Sequence, residues 1–152
     1  MKILMVCLGN ICRSPMAQGI MESKLHKRGL HWIVDSAGTS GWHDGQNPDQ
    51  RAMGTCEMFG VNISKQKSRK FIPDDLDRFD KVFAMDASNY QDILRLCQTD
   101  EHKQKVALLM NLKFPDRNMA VPDPYYSGNF EEVYHLLEDS MDDIIDHIVA
   151  NG

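Results

Sequence analysis

The chain has 152 residues, 42% of them hydrophobic and 26% charged, which is the composition of an ordinary globular protein. This length is enough for one domain with a substantial core, so we treat residues 1–152 as a single domain. The net charge of −5 excludes a general nucleic-acid binder, because the chain has no basic excess to neutralise a phosphate backbone.

The cysteines and the N-terminus indicate a protein of a reducing compartment. The four cysteines are too sparse for a disulfide scaffold, and none forms the CxxC pair of a structural zinc site, so we expect no metal ion. The apolar start "MKILMVC" is too short for a signal-peptide core, and no apolar run reaches the length of a membrane span. The sequence thus predicts a cytoplasmic protein that does not contact membranes.

Predicted strands alternate with predicted helices along the chain. Short apolar runs predict strands at residues 2–7, 31–38, 81–86 and 105–110. Apolar residues at helical spacing predict helices from Ser14 to about Gly29, over 52–59, from Ser88 to Cys97 and from Phe130 to Ile148. The polar segments predicted as loops are 39–50 and 121–130. This order is typical of an α/β fold with a four-stranded parallel sheet flanked by helices.

The stretch "VCLGNICRSP" follows the first predicted strand. In an α/β fold, ligands bind beyond the carboxyl ends of the strands, which is where this stretch lies. Gly9 lets the backbone pass close to a ligand, Asn10 tolerates left-handed backbone angles, and Arg13 offers a planar fork. Ser14 is predicted to cap the following helix and Pro15 suits its first position, and the N-terminus of such a helix attracts anions. The stretch therefore predicts a loop that binds an anion such as phosphate.

Cys7 lies at the base of this predicted loop. A free cysteine is mostly a thiol at neutral pH, whereas a helix N-terminus, converging N–H groups and Arg13 all favour the thiolate. Such a loop would both hold a phosphate and keep Cys7 ionised to attack it. Ser14 is close enough in sequence to donate a hydrogen bond to the Cys7 sulfur. The alternative, an inert buried cysteine at a strand end, is disfavoured by the pattern Cys-x5-Arg-Ser-Pro.

Four stretches of the chain, taken together, resemble one protein family. They are "VCLGNICRSP" (6–15), "DSAGTSGW" (35–42), "FDKVFAMDASN" (79–89) and "DPYY" (123–126). In this order they are similar to the motifs of the low-molecular-weight protein tyrosine phosphatases. The resemblance implies a single phosphatase domain with a phosphate-binding loop between the first strand and the first helix. It also implies hydrolysis of phosphotyrosine through a cysteinyl-phosphate intermediate, without a cofactor or a metal.

The resemblance also implies roles for particular residues. Cys7 would be the nucleophile, Arg13 would bind the phosphoryl group, and Asp123 would be the general acid and then the general base. The loop, called the phosphate loop below, would consist of Leu8, Gly9, Asn10, Ile11, Cys12, Arg13 and Ser14. The residues that would brace it by hydrogen bonds are Asn10, Ser36 and Asp86. The residues that would line the substrate cleft are Trp42, Tyr125 and Tyr126.

Cys12 raises the question of redox chemistry, because it lies within the same short loop as Cys7. The resemblance implies that Cys7 and Cys12 can form a reversible disulfide, which would protect the nucleophile from deeper oxidation. The alternative is that Cys12 is a small residue that fills space behind the loop. Cys56 and Cys97 fall on apolar faces of predicted helices and are predicted to be core residues.

The partners that the resemblance implies are phosphotyrosine-containing proteins, small aryl phosphates in vitro, and inorganic phosphate or vanadate as site ligands. It also implies a monomer.

Three other functions compete with this prediction. A protein-arginine phosphatase shares the fold but typically has threonine where this chain has Ile11. A thiol-dependent arsenate reductase needs a relay of further cysteines, for which only Cys97 is available. A non-catalytic anion-binding module would need neither the Cys7 thiol nor the distant Asp123.

Overall fold

The computed structural model describes residues 1–152 and contains parallel strands that alternate with helices. The strands are β1 (Lys2–Cys7), β2 (Ile33–Gly38), β3 (Lys81–Ala84) and β4 (Val106–Leu108). The helices are α1 (Arg13–Arg28), α2 (Gln50–Met58), α3 (Asp75–Arg78), α4 (Ala87–Leu96), α5 (Asp100–Lys105), α6 (Pro124–Ser127) and α7 (Phe130–Asn151). The α/β fold with a four-stranded parallel sheet, predicted from the sequence, is confirmed.

The strands lie in the order β2-β1-β3-β4, and every neighbouring pair is parallel. β1 is therefore an inner strand, and residues 3–7 are buried, as expected of a strand covered on both faces. The strands that follow β1 lie on opposite sides of it, which creates a switch point between β1 and β3. Cys7 ends β1 and Asp86 follows β3, so both lie at the carboxyl edge beside the switch point.

Helices cover both faces of the sheet and give it two core clusters. Ile3 and Met5 point to the larger cluster, which α1, α2 and α7 complete. Leu4 and Val6 point to the other face, where they join side chains of α3 and α4. This alternation of neighbouring side chains between two cores explains why β1 reads as a continuous apolar run.

α7 is the longest helix and has the amphipathic character that the sequence predicts. Its buried residues are Phe130, Val133, Tyr134, Leu137, Ser140, Met141, Ile144, Ile145 and Ile148. Leu136 is half-buried at the margin of the core, and most of the acidic residues lie on the exposed face. No helix of the protein combines the length and the apolar character that crossing a membrane would require.

Three strands are shorter than the sequence predicts. The prediction of a strand over 31–38 is wrong at its start, because pairing with β1 begins only at Ile33. The prediction of a strand over 81–86 is wrong at its end, because Asp86 accepts a hydrogen bond from Asn89 N at 2.8 Å and so caps α4. The prediction of a strand over 105–110 is also too long. Only Val106–Leu108 pairs with β3, and the chain then tightens into a 3-10 turn at Leu109–Leu112.

The sequence analysis misses three short helices, α3, α5 and α6. Each has only four to six residues, which is too short for an apolar periodicity to be recognised. α6 lies inside the segment 121–130, which is predicted to be a loop. Cys97 is a smaller correction: it packs against the core as predicted, but it is only half-buried and lies just after the end of α4.

Gly19 marks a close approach between α1 and the segment that follows α2. A Cβ atom at Gly19 would lie 2.4 Å from Ile63 Cγ2 and 3.0 Å from Val61 Cγ1. Both neighbours are buried and branched, so they have no free space into which to move. Gly54, in α2, offers a contrast, because a Cβ atom there would meet nothing within 4 Å.

We therefore expect Gly19→Ala to lower the free energy of unfolding by about 1–3 kcal/mol through overpacking. Gly54→Ala is the matched control, since it also places an alanine in a helix, and it should raise stability by about 0.5–1 kcal/mol. Urea unfolding followed by circular dichroism measures both changes. A Gly19→Ala variant as stable as Gly54→Ala would contradict the close contact.

Candidate active site

The phosphate loop, residues 8–14, joins β1 to α1 and leaves the start of this helix without a side-chain cap. The expectation that Ser14 caps the helix is wrong, since α1 begins at Arg13 and Cys12 occupies the capping position without a side-chain bond. None of the N–H groups of residues 8–12 donates to a protein acceptor. The first turn also contains no acidic residue. The loop and the helix start therefore carry a concentration of free donors that suits an anion.

Ser14 is not free to cap because its hydroxyl bonds to two other side chains. Asn10 Nδ2 donates to Ser14 Oγ at 2.8 Å, and Ser14 Oγ lies 3.0 Å from Cys7 Sγ. Because the oxygen already accepts from Asn10, its hydrogen is available to donate to the sulfur. This contact holds the Cys7 sulfur beside the first turn of α1, where the sequence predicts the nucleophile.

Asn10 is the centre of the network behind the loop. Its φ angle of 56° lies in the left-handed region, where asparagine is one of the few side chains tolerated. Its Nδ2 also donates to Ser36 Oγ at 2.9 Å, and its Oδ1 accepts from Arg69 N at 3.0 Å. The structure thus brings Asn10 and Ser36 together, as predicted for residues that brace the loop.

Carbonyl groups of the phosphate loop accept hydrogen bonds from residues outside the loop. Ser40 Oγ donates to Leu8 O at 3.0 Å, and Ser68 Oγ donates to Gly9 O at 3.1 Å. The backbone N–H of Asp49 donates to Ile11 O at 2.8 Å. Carbonyls held outward leave the N–H groups turned toward the cleft.

Arg13 is held in a fixed position below the cleft. Its side chain is 5% exposed, and NH1 donates to Asp86 Oδ2 at 2.6 Å and to Val121 O at 3.1 Å. Burial opposes the charge, but the adjacent Cys7 and the hydrogen bond to Asp86 raise the pKa of this guanidinium above its ordinary value. Asp86 therefore orients Arg13 and does not contact the loop backbone itself.

Asp123 approaches Arg13 from the opposite side of the cleft. Its Oδ2 lies 3.7 Å from Arg13 NH2, and its Oδ1 accepts from Tyr125 N at 3.0 Å as the cap of α6. Pro124 occupies the first position of that helix and restricts the backbone of Asp123. The second carboxylate oxygen of Asp123, Oδ2, remains available to a ligand in the cleft.

A cleft of about 270 Å³ opens above Cys7. Its lining residues are Cys7, Leu8, Gly9, Ile11, Cys12, Arg13, Trp42, His43, Asp123, Tyr125 and Tyr126. The rim is aromatic and open to solvent, with Trp42 75% and Tyr126 89% exposed. Of the predicted site residues, Asn10, Ser14, Ser36 and Asp86 lie behind the cleft and do not line it.

The other cysteines differ from Cys7 in their surroundings. Burial, assisted by Asp49 and Cys7, raises the pKa of the Cys12 thiol far above its ordinary value, so Cys12 is a neutral thiol near Cys7. Burial also raises the pKa of Cys56 to about 12, in agreement with its predicted place in the core. Cys12 and Cys7 both line the cleft as free cysteines.

The sequence analysis misses the segment around Ser68 and Arg69. Arg69 NH2 lies 3.2 Å from Asp35 Oδ2, and its NH1 lies 3.0 Å from Oδ2 of the fully buried Asp75. These ion pairs hold the segment against Asn10. The only signal is the basic run "KQKSRK", which does not reveal its acidic partners, because Asp35 lies 34 residues away and Asp75 has no fixed spacing that marks it as a partner.

Comparison with known proteins identifies the family. Residues 2–151 match the family described as low molecular weight phosphotyrosine protein phosphatase. The low molecular weight protein-tyrosine-phosphatase PtpA of Staphylococcus epidermidis is 38% identical over 152 residues, with 99% of this chain and 95% of that protein covered. The chain therefore belongs to the low molecular weight phosphotyrosine protein phosphatase family, as predicted. It is an enzyme of the protein tyrosine phosphatase class.

Solved structures agree with this assignment. YfkJ from Bacillus subtilis has a TM-score of 0.92 at 36% identity, covering 99% of this chain and 96% of that one. A Drosophila arginine phosphatase has a TM-score of 0.89 at 32% identity, covering 97% of this chain and 98% of that one. The same fold therefore occurs in proteins named for two different substrates.

We expect Asn10→Gly and Asn10→Ala to lower the free energy of unfolding by about 1–3 kcal/mol, because both leave Ser36 and Arg69 N without their partner. Asn10→Ala should be the less stable by about 1 kcal/mol, because alanine disfavours the left-handed backbone that glycine accepts. Urea unfolding measures this difference. Equal stability of the two variants, or a more stable alanine variant, would contradict the role given to the backbone angle.

Proposed function

We propose that this enzyme hydrolyses phosphotyrosine in proteins, and small aryl phosphates in vitro, through a cysteinyl-phosphate intermediate. The observation that carries the proposal is the placement of Cys7 and Asp123 in one cleft, with Arg13 between them. A module that only bound an anion would gain from Arg13 and the free N–H groups, but not from a thiol and a carboxylic acid.

In the first step the Cys7 thiolate attacks the phosphorus atom of the substrate. The bond from phosphorus to the phenolic oxygen breaks, and Asp123 gives its proton to that oxygen as tyrosine leaves. The loop N–H groups and Arg13 hold the three remaining phosphoryl oxygens and stabilise the charge that spreads over them. Ser14 donates to the sulfur and so stabilises Cys7 when it later departs.

In the second step water attacks the phosphorus atom of the phosphocysteine. The Asp123 carboxylate takes a proton from that water, and the bond between sulfur and phosphorus breaks. Inorganic phosphate leaves, and Cys7 returns to the thiolate. The same donors serve both steps, because the phosphoryl group stays in the loop throughout.

The aromatic rim supports an aryl substrate. Trp42, Tyr125 and Tyr126 line the cleft together with Cys7 and the loop, and they offer flat apolar surfaces to a phenol ring. Ile11 adds a branched apolar contact in the cleft and offers no hydrogen bond to a guanidinium group. These contacts favour phosphotyrosine over phosphoarginine, and a direct comparison of the two as substrates tests the choice.

We expect Asp123→Asn to slow the hydrolysis of a phosphotyrosine peptide by about 100-fold or more, because its phenolate leaves poorly without a proton. Dinitrophenyl phosphate needs no such proton, so its rate should fall by less than about 10-fold. The burst rate and kcat/KM measure the difference, because they report the first step, whereas hydrolysis of the common phosphocysteine is the same for both substrates. Cys7→Ser, which removes the thiolate, should abolish the turnover of both.

An equal loss of kcat/KM for both substrates in Asp123→Asn would contradict the general-acid role. Turnover retained in Cys7→Ser would contradict the phosphocysteine. Hydrolysis of phosphoarginine faster than that of phosphotyrosine would move the enzyme to the arginine-specific class.

The pairing of Cys7 with Cys12 is a second part of the proposal. Peroxide converts the Cys7 thiolate to a sulfenic acid, and the Cys12 thiol then forms the disulfide with loss of water. Both sulfurs line the same cleft, and no other cysteine does. A thiol reductant would return both to the active form.

We expect peroxide-inactivated wild-type enzyme to recover fully in dithiothreitol, whereas Cys12→Ser recovers only in part because its nucleophile is oxidised further. Cys97→Ser is the matched control, since it removes a half-buried thiol outside the cleft, and it should recover like the wild type. Activity assays and the mass of the active-site peptide measure the outcome. Equal recovery of all three proteins would contradict the disulfide.

A further inference from the structure

Arg51 lies outside the cleft but is fixed by contacts on several sides. It is the second residue of α2, and its side chain is half-exposed. Its Nε donates to Asp49 Oδ1 and its NH2 to Asp49 Oδ2, both at 3.1 Å, which makes a two-pronged ion pair. Its guanidinium carbon lies 5.4 Å from the ring centre of Tyr125 and 4.7 Å from that of Phe130. A surface arginine that only aided solubility would not need these contacts.

One end of this arrangement is tied to the phosphate loop. Asp49 donates its backbone N–H to Ile11 O at 2.8 Å, while its side chain caps α2 by accepting from Arg51 N at 2.8 Å. Burial opposes ionisation of Asp49, but the hydrogen bonds from Arg51 keep the pKa of this carboxyl below its ordinary value. The pair is therefore a charged contact whose Asp49 end is hydrogen-bonded to the phosphate loop.

The other end touches the segment that carries Asp123. Tyr125 supplies the backbone N–H that Asp123 accepts, and Phe130 is the buried first residue of α7. Arg51 thus contacts one aromatic ring inside α6 and another just beyond it. Since α6 has four residues, it cannot hold its own conformation, and contacts from outside must fix it.

We propose that Arg51 is a positioning residue that holds the Asp123 segment against the phosphate loop, so that the acid faces the leaving group. This role rests on the proposed function of Asp123 as the general acid. Arg13 approaches Asp123 from below at 3.7 Å, and Arg51 fixes the same segment from the side through Tyr125. The two arginines together define the distance between nucleophile and acid.

This positioning role requires an arginine and not merely a positive charge. A planar guanidinium can bind a carboxylate with two parallel bonds and stack on aromatic rings at the same time. A lysine ammonium would keep the charge but lose the two-pronged pair and the flat face. Arg51→Lys therefore separates positioning from simple electrostatic attraction.

The test compares Arg51→Ala and Arg51→Lys with the wild type on two substrates. We expect Arg51→Ala to lower kcat/KM, which reports the first step, by about 10-fold for a phosphotyrosine peptide and by less than about 2-fold for dinitrophenyl phosphate. Arg51→Lys should behave like Arg51→Ala. Arg51→Met keeps an apolar side chain over the rings but lacks the guanidinium group, and it should also behave like Arg51→Ala. Arg95→Ala removes an exposed ion pair from α4 and serves as the matched control with unchanged rates.

The decisive measurement repeats Arg51→Ala in the Asp123→Asn background. If Arg51 acts through Asp123, its removal costs the double variant less than about 2-fold on the phosphotyrosine peptide, because no acid remains to be positioned. A 10-fold loss that persists in this background would overturn the proposal, as would equal losses on the two substrates or full activity of Arg51→Lys. Circular dichroism and thermal unfolding confirm that each variant is folded.

The same data separate this proposal from the function on which it rests. If Asp123→Asn alone shows no dependence on the leaving group, the general-acid assignment fails and the positioning role fails with it. If Asp123→Asn shows that dependence but Arg51→Ala does not, only the positioning role fails.

Discussion

Hydrogen bonds to the outward-facing carbonyl groups of the phosphate loop are the constraint on which the site depends. A loop of this length has as many acceptors as donors, so its N–H groups can turn to a ligand only if its carbonyls are satisfied elsewhere. Ser40 after β2, Ser68 in the following segment and the backbone of Asp49 provide that satisfaction. Three separate parts of the chain must therefore fold before the loop acquires its shape.

The electrostatics of the site follow from the same arrangement. Arg13 is a buried cation, and burial would be costly without the close carboxylate of Asp86. Because Asp86 also caps α4, its position is set by the sheet and not by the ligand. The position of Arg13 is therefore set by the protein itself, and in the proposed mechanism such preorganisation would stabilise developing charge without a reorganisation cost.

The fold was predictable where a sequence pattern is local. The apolar run of β1 and the amphipathic face of α7 are examples, because each is long enough to show its periodicity. The ends of β3 and β4 were not predictable. Asp86 could be read equally as the last residue of a strand or as a cap, and only its bond to Asn89 N decides between them. The short helices α3 and α5 were not predicted, because four and six residues are too few to show an apolar periodicity.

The sequence by itself determined the family, the fold class and the residue types that gather at the end of β1, because the motifs are contiguous and chemically distinctive. Only the tertiary structure decided which distant groups hold them. It brought Asp123 to within 3.7 Å of Arg13, joined Arg69 to Asp35 and Asp75, and laid Arg51 against Tyr125. The physical reason is that charge pairs and ring contacts depend on distances in the folded chain. These distances cannot be read from a local sequence pattern.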